Sequence, residues 1–199
     1  MLIHDDRALL VMLDLVAAER RSCTVVLPVT TTRIAEKVTR YHGSGVHWTS
    51  QSPYDLVTAA REPGVIFAGD GRGGVVVPEF TAALDGVAAF VRLAGLVART
   101  NLTLSQIDAR IPIAHVHRQS VPTPWAAKGL VMRSVVEAAA GRELDTTDGV
   151  RVVEPDGRWV LVLPDPAEAV THLWAEAPDA GAASALLEEW SRVVEAAGH

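Results

Sequence analysis

GDGRGG, residues 69–74, sets a carboxylate and a guanidinium two residues apart in a glycine-rich turn. Arg72 in such a turn can grip a phosphate or carboxylate through its planar fork. The same string also reads as a tight hairpin with a solvated arginine, and both readings stay open. A second loop, Pro164-Asp165-Pro166-Ala167-Glu168, separates two apolar runs and offers the opposite chemistry. Two of its residues lack an N–H and two carry acids, so it is poorly made to hold an anion. His115 and His117 alternate on an extended segment and share a face, a pair that can ligate zinc. No third ligand has suitable spacing, so packing is the expected role. Lys128 and Arg133 follow on a helix, where solvated charge is the expected role over anion binding. His4, Asp5, Asp6 and Arg7 place one acid pair at a helix start, which favours capping by Asp6 over metal binding.

The elements that must position these residues alternate in the first half. Apolar residues at Leu9, Leu10, Leu13, Val16 and Ala17 predict a helix ending near Arg20-Arg21. TVVLPV (24–29) predicts a buried strand, and residues 33–42 a second helix stopped by Gly43 and Gly45. GVHWT is a short strand, and SPYDLVTAAR opens a helix with Pro53 in its first turn. VIFAGD and GVVVPEF are strands flanking the glycine-rich turn. Residues 82–99 predict a long helix presenting Val87, Phe90, Val91, Ala94, Leu96 and Val97 to a core. This alternation implies an α/β layer domain over residues 1–111.

The second half changes character. IAHVHRQSV is extended and bracketed by Pro112, Pro122 and Pro124; a helix follows from Trp125 to Gly141. DGVRVVE, RWVLVLP and THLWAEA predict three strands, and residues 180–197 a closing helix. Residues 112–199 therefore read as an α+β domain, an antiparallel sheet covered by helices on one face.

Bulk properties exclude several classes. Of 199 residues, 49% are hydrophobic, enough for a packed core. The net charge of −6, with no basic run beyond Arg20-Arg21, argues against nucleic acid or an anionic membrane as partner. The single Cys23 forms no internal disulfide and reads as a small core residue, as a reducing cytoplasm permits. Neither a membrane-length apolar run nor a signal peptide is apparent. No G-x-S-x-G, Walker or G-x-G-x-x-G pattern supports a hydrolase, NTPase or dinucleotide reading. The abrupt helical start reads as a piece of a longer chain.

In order and in motif, the sequence resembles the C-terminal half of the α-D-phosphohexomutases, the phosphomannomutase and phosphoglucomutase superfamily. It looks most like the mutase-like tail behind the nucleotidyltransferase of bacterial mannose-1-phosphate guanylyltransferases. FAGDGRGGVVVPEFTAALDG resembles a sugar-selecting G-E-x-S-G-H segment followed by D-G, here Asp85-Gly86. RWVLVLPDPAEAVTHLWAEA resembles, without a gap, W-V-L-V-R-P-S-G-T-E-P-x-x-R-V-Y-x-E-A.

The resemblance implies a sugar-selecting third domain (1–111) and a fourth domain (112–199) with a degenerate phosphate loop. It implies a substrate contact from Asp70, in place of a glutamate that binds sugar hydroxyls. Arg72, standing where the family has a serine, and Gly73 are the further substrate contacts expected from their place in the glycine-rich turn, and Gly74 stands where the family has a histidine. The resemblance also implies losses. The active-site lysine gives way to Ser50-Gln51-Ser52. In the phosphate loop an arginine becomes Leu163, serine Asp165, glycine Pro166, threonine Ala167 and a second arginine His172, with Glu168 retained. The phosphoserine and magnesium loop of the family belong to domains outside this sequence, so no cofactor is expected here. The implied function is a module not catalytic by itself, packing on N-terminal nucleotidyltransferase or mutase domains and holding a sugar phosphate or sugar nucleotide. Two alternatives remain: the sugar-contacting half of an active mutase, and a structural or oligomerising domain.

Overall fold

Helix α1 (Asp5–Glu19) buries the predicted stripe of Leu9, Leu10, Leu13, Val16 and Ala17. The computed structural model describes residue 3 and residues 5–198. His4 and the Asp5 side chain, both named in the capping reading, lie outside what is described. Asp6 is the second residue of α1 and not its cap, though its carboxylate remains in the first turn, where the helix dipole favours an acid.

Strands β1 (Thr24–Pro28), β2 (Gly45–Thr49), β3 (Val65–Gly69) and β4 (Val75–Val76) form one sheet in the order β2-β1-β3-β4. β1 runs parallel to both neighbours, with Val26 opposite His47 on one side and Ala68 on the other. β4 returns antiparallel to β3 across the glycine-rich turn. Val25, Val26 and Leu27 are wholly buried because helices cover both faces, which is why β1 reads as a continuous apolar run. Helix α2 (Ile34–Tyr41) links β1 to β2, and α3 (Pro53–Ala59) links β2 to β3. Leu56 and Ala59 of α3 pack with Val26, Ala68 and Val76. On the other face α1 presses so close to β3 that a Cβ on Gly69 would lie 2.6 Å from Leu9 Cδ1. From β1 the chain moves outward to β2 and then back across to β3, so strand order reverses at β1. A crevice at the carboxyl ends of the strands follows from that reversal.

Helix α4 (Gly86–Ala98) begins four residues later than expected, because Asp85 caps it by accepting from the Val87 and Ala88 amides at 2.8 and 2.9 Å. Its expected core face is only partly buried. Leu96 is buried, but Val87, Phe90 and Val91 are 74, 71 and 54% exposed. Helix α5 (Leu104–Asp108) was not anticipated, although its Thr103–Gln106 capping box is a legible signal.

The chain divides into units of residues 1–113 and 114–199; the expected boundary stood at 111/112. In the second unit β5 (His115–Pro122), β6 (Glu143–Asp145), β7 (Val150–Val153), β8 (Trp159–Pro164) and β9 (Val170–Ala177) form an antiparallel sheet in the order β5-β9-β8-β7-β6. β6 is a further unanticipated element. A 3-10 turn (Trp125–Ala127) leads into α6 (Lys128–Ala138), and α7 (Ala180–Gly198) closes the unit. Val131, Val135, Leu186 and Trp190 of these helices pack on Val152, Val160, Val162 and Leu173 of the sheet. On the opposite face Trp159 donates Nε1–H to Glu176 at 3.1 Å and carries the buried Arg151 guanidinium over its ring. The fold is thus the expected α/β layer followed by an antiparallel sheet covered by helices. Among the described residues no helix is long and apolar enough to cross a membrane.

Candidate functional site

The crevice at the carboxyl ends of β1, β2 and β3 is a pocket of about 70 Å³ lined by Pro28, Ser50, Gln51, Asp70, Arg72 and Leu84. Each strand delivers one residue cluster because all three parallel strands end at the same level. Asp70 is held by its own turn: Oδ1 accepts from the Arg72 amide at 2.7 Å and the Gly74 amide at 2.8 Å. Gly71 and Gly73 take φ of +71° and +98°, which lets the turn fold back on the carboxylate. A Cβ at Gly74 would meet Asp70 Oδ2 at 2.3 Å, so glycine is needed there for space. Oδ1 is thereby committed to backbone, and Oδ2 carries neither of those bonds. The exposed Arg72 side chain adds the guanidinium expected of it.

Gly73 lies elsewhere. It borders an apolar cavity of about 170 Å³ with Leu9, Met12, Val75 and Phe90, not the pocket of Asp70 and Arg72. Ser50 and Gln51 line the pocket, but the Ser50-Gln51-Ser52 segment serves helix α3. Ser50 donates to Asp55 Oδ2 at 2.5 Å and accepts from the Ser52 amide, while Ser52 caps the helix.

The loop between β8 and β9 closes on itself. Asp165 Oδ1 accepts from the amides of Ala167 and Glu168, both at 2.7 Å. Asp165 Oδ2 meets His172 Nε2 at 3.0 Å, and His172 Nδ1 meets Ser120 Oγ at 2.8 Å. Lys128 Nζ donates to the carbonyls of Asp165 and Glu168, both at 2.5 Å, with its ammonium 3.5 Å from the centre of the Trp125 ring. The Ala167 amide, with His172 next, holds the Asp165 carboxyl below the usual carboxylate range. Asp165 therefore occupies the amide donors that an anion bound to this loop would need. Leu163 is buried, so its side chain supplies packing and no charge.

Lys128 corrects the expectation of a solvated helix charge: it ties α6 to a loop 37 and 40 residues away, a contact no local pattern announces. Arg133 is exposed on α6, as that expectation has it. His115 and His117 lie on β5 opposite Ala177 and Ala175. Among the described residues no group of three His, Cys, Asp or Glu could hold a metal ion.

Residues 4–112 match the family profile described as phosphoglucomutase/phosphomannomutase, alpha/beta/alpha domain III. The chain belongs to this family. A probable phosphoglucosamine mutase of Methanopyrus kandleri is 30% identical over 95% of this chain and 42% of its own length. A phosphoglucomutase/phosphomannomutase of Thermococcus kodakarensis is 24% identical over 98% of this chain and 43% of its own. The fold is shared with a phosphoglucomutase/phosphomannomutase family protein of Burkholderia thailandensis: TM-score 0.81 at 22% identity, over 99% of this chain and 42% of that one. The chain thus spans less than half the length of the curated relatives it matches. The match to the third-domain profile covers β1 to α5 and the crevice they build, so the pocket of Asp70 and Arg72 belongs to the portion in which family membership is shown.

Proposed function

We propose that this chain is a sugar-facing phosphohexomutase-family module that has lost its phosphate grip and is not catalytic by itself. Asp70 accepts sugar hydroxyls through Oδ2, and Arg72 pairs with an anionic group at the rim of the same crevice. One observation carries the reading: the Asp165 carboxylate bonds the two loop amides that an incoming phosphate would use. A phosphate there would have to displace that carboxylate while meeting its like charge, with no guanidinium from Leu163 to compensate. Phosphoryl transfer needs charge neutralisation and an aligned acceptor, and any metal or phosphoryl carrier would come from other domains. We place the module in a cytoplasmic protein of sugar-nucleotide biosynthesis of the mannose-1-phosphate guanylyltransferase type; the relatives named above are mutases, so that placement rests on the sequence resemblance.

A second reading, the substrate-contacting half of a working mutase, is favoured by the activities those relatives are named for. Calorimetry of this chain with mannose-1-phosphate, mannose-6-phosphate, GDP-mannose and inorganic phosphate tests the first. Saturable heat is expected with a sugar ligand and none with inorganic phosphate. Tight inorganic phosphate binding would refute the lost grip, and no heat with any sugar ligand would leave a structural role. Robust isomerisation of mannose-1-phosphate by the full-length protein, primed with glucose-1,6-bisphosphate, would establish the second reading and overturn the first.

A further inference from the structure

Away from the crevice, a cavity of about 670 Å³ opens between α1, α2 and α5. That size lies within the range of small-molecule sites, whose walls are mostly apolar with a few placed polar groups. Its floor has this character: Leu15, Val38, Ile107 and Ile111 are nearly excluded from bulk solvent and still line it. Its polar groups are unequal. Asp14 is committed to His42, with Oδ1 2.8 Å from Nε2, so the one acid on the wall is already engaged. Lys37 and Arg110 border the cavity as exposed cations, and neither has an ion-pair partner among the described residues. Tyr41, 85% exposed, stands at the rim in a T-shaped contact with the His42 ring, 5.0 Å between centroids, with most of its ring surface accessible to a ligand.

We infer that this cavity is a binding site, separate from the sugar crevice, for an amphipathic anion: an apolar or aromatic body on the floor, with a carboxylate or phosphate monoester held by Lys37 and Arg110. A sugar phosphate fits it poorly, because the floor offers hydroxyls no acceptors. An uncharged hydrophobe would leave the two cations without a role.

The test uses the full chain and the fluorescent probe 8-anilinonaphthalene-1-sulfonate. Saturable binding of one probe per chain is expected, weakened about tenfold or more in the Lys37→Glu/Arg110→Glu variant. The neutral N-phenyl-1-naphthylamine should bind about as weakly as the sulfonate does to that variant. Ala18→Trp, at an exposed position on the same wall, should block the probe, whereas Asp70→Ala should leave its binding unchanged. Displacement by octanoate would mark a carboxylate site and displacement by phenyl phosphate a phosphate site; displacement by neither overturns the assignment to anions. Non-saturable binding overturns the site altogether, as does equal affinity in the charge-reversed variant with its melting temperature unchanged. Loss of binding in Asp70→Ala would assign the probe to the crevice. That result would leave the sugar-facing reading standing while refuting a second site.

Discussion

Gly74→Ala offers a direct test of how the candidate site is built. The new methyl would sit 2.3 Å from Asp70 Oδ2 and 2.8 Å from Cγ, so the carboxylate must swing away. In doing so it gives up the Arg72 and Gly74 amides at 2.7 and 2.8 Å. Hydrogen bonds to a charged acceptor contribute about 1.5–3 kcal/mol each. Asp70 is only half-buried and water replaces part of what is lost, so the lower end applies, about 1.5–3 kcal/mol for the pair. Gly74 lies outside the positive-φ range, unlike Gly73 at +98°, so alanine there adds no backbone strain. Alanine also reduces the freedom of the unfolded chain, which stabilises by about 0.4–1 kcal/mol. The net expectation is a loss of about 0.5–2.5 kcal/mol in the parent chain, obtained by combining those two estimates. In an Asp70→Ala background the clash is gone and the sign should reverse, leaving Gly74→Ala neutral or stabilising. Urea denaturation of the four chains of this double-mutant cycle measures both values. If Gly74→Ala destabilises the Asp70→Ala background as much as the parent, the carboxylate is not what glycine makes room for.

Arg72→Ala should weaken binding of any sugar phosphate that the crevice holds by about tenfold or more, read by calorimetry, and unchanged affinity would remove Arg72 from the site. The Asp165 carboxyl is held low in the folded state, so its stabilising contribution is present above the unfolded carboxylate value of about 3.9 and is lost as pH falls through the lower folded value. Asp165→Asn should therefore flatten the acid limb of a stability-versus-pH curve from urea midpoints; an unchanged limb would contradict the bonds assigned to it. Gly149→Ala should cost about 3–5 kcal/mol, because its φ is +67° and a Cβ would lie 2.3 Å from the Val162 carbonyl oxygen. Gly157→Ala, at φ +87° with open space, should cost only about 1–2 kcal/mol, and equal losses by urea denaturation would refute the β7–β8 geometry.

Where local chemistry decides structure, the sequence was readable. Pro53 and Ser52 start α3 as their types predict, because a cap and a first-turn proline act on the backbone beside them. The Thr103–Gln106 box that starts α5 is an equally local signal, carried by residues three apart. Apolar runs identified β1, β3, β8 and β9, since a strand buried on both faces leaves no polar alternation. The positions of Asp70 and of the 164–168 loop were likewise legible, from glycine and proline punctuation and from family resemblance.

Other features depended on which surfaces met. The periodicity of α4 promised a buried face, but periodicity says only that a helix has an apolar side; Val87, Phe90 and Val91 are exposed in the folded chain. Lys128 looked like a solvated helix charge until folding brought it to two carbonyls of a distant loop. The acids of that loop were legible as hostile to phosphate, yet only the folded backbone shows Asp165 turned inward onto the amides of Ala167 and Glu168. By itself the sequence determined residue chemistry, local caps and the order of elements, because these act over a few bonds. Tertiary structure decided which donors are already occupied and which faces are covered, because hydrogen bonding and burial depend on partners far away in the chain.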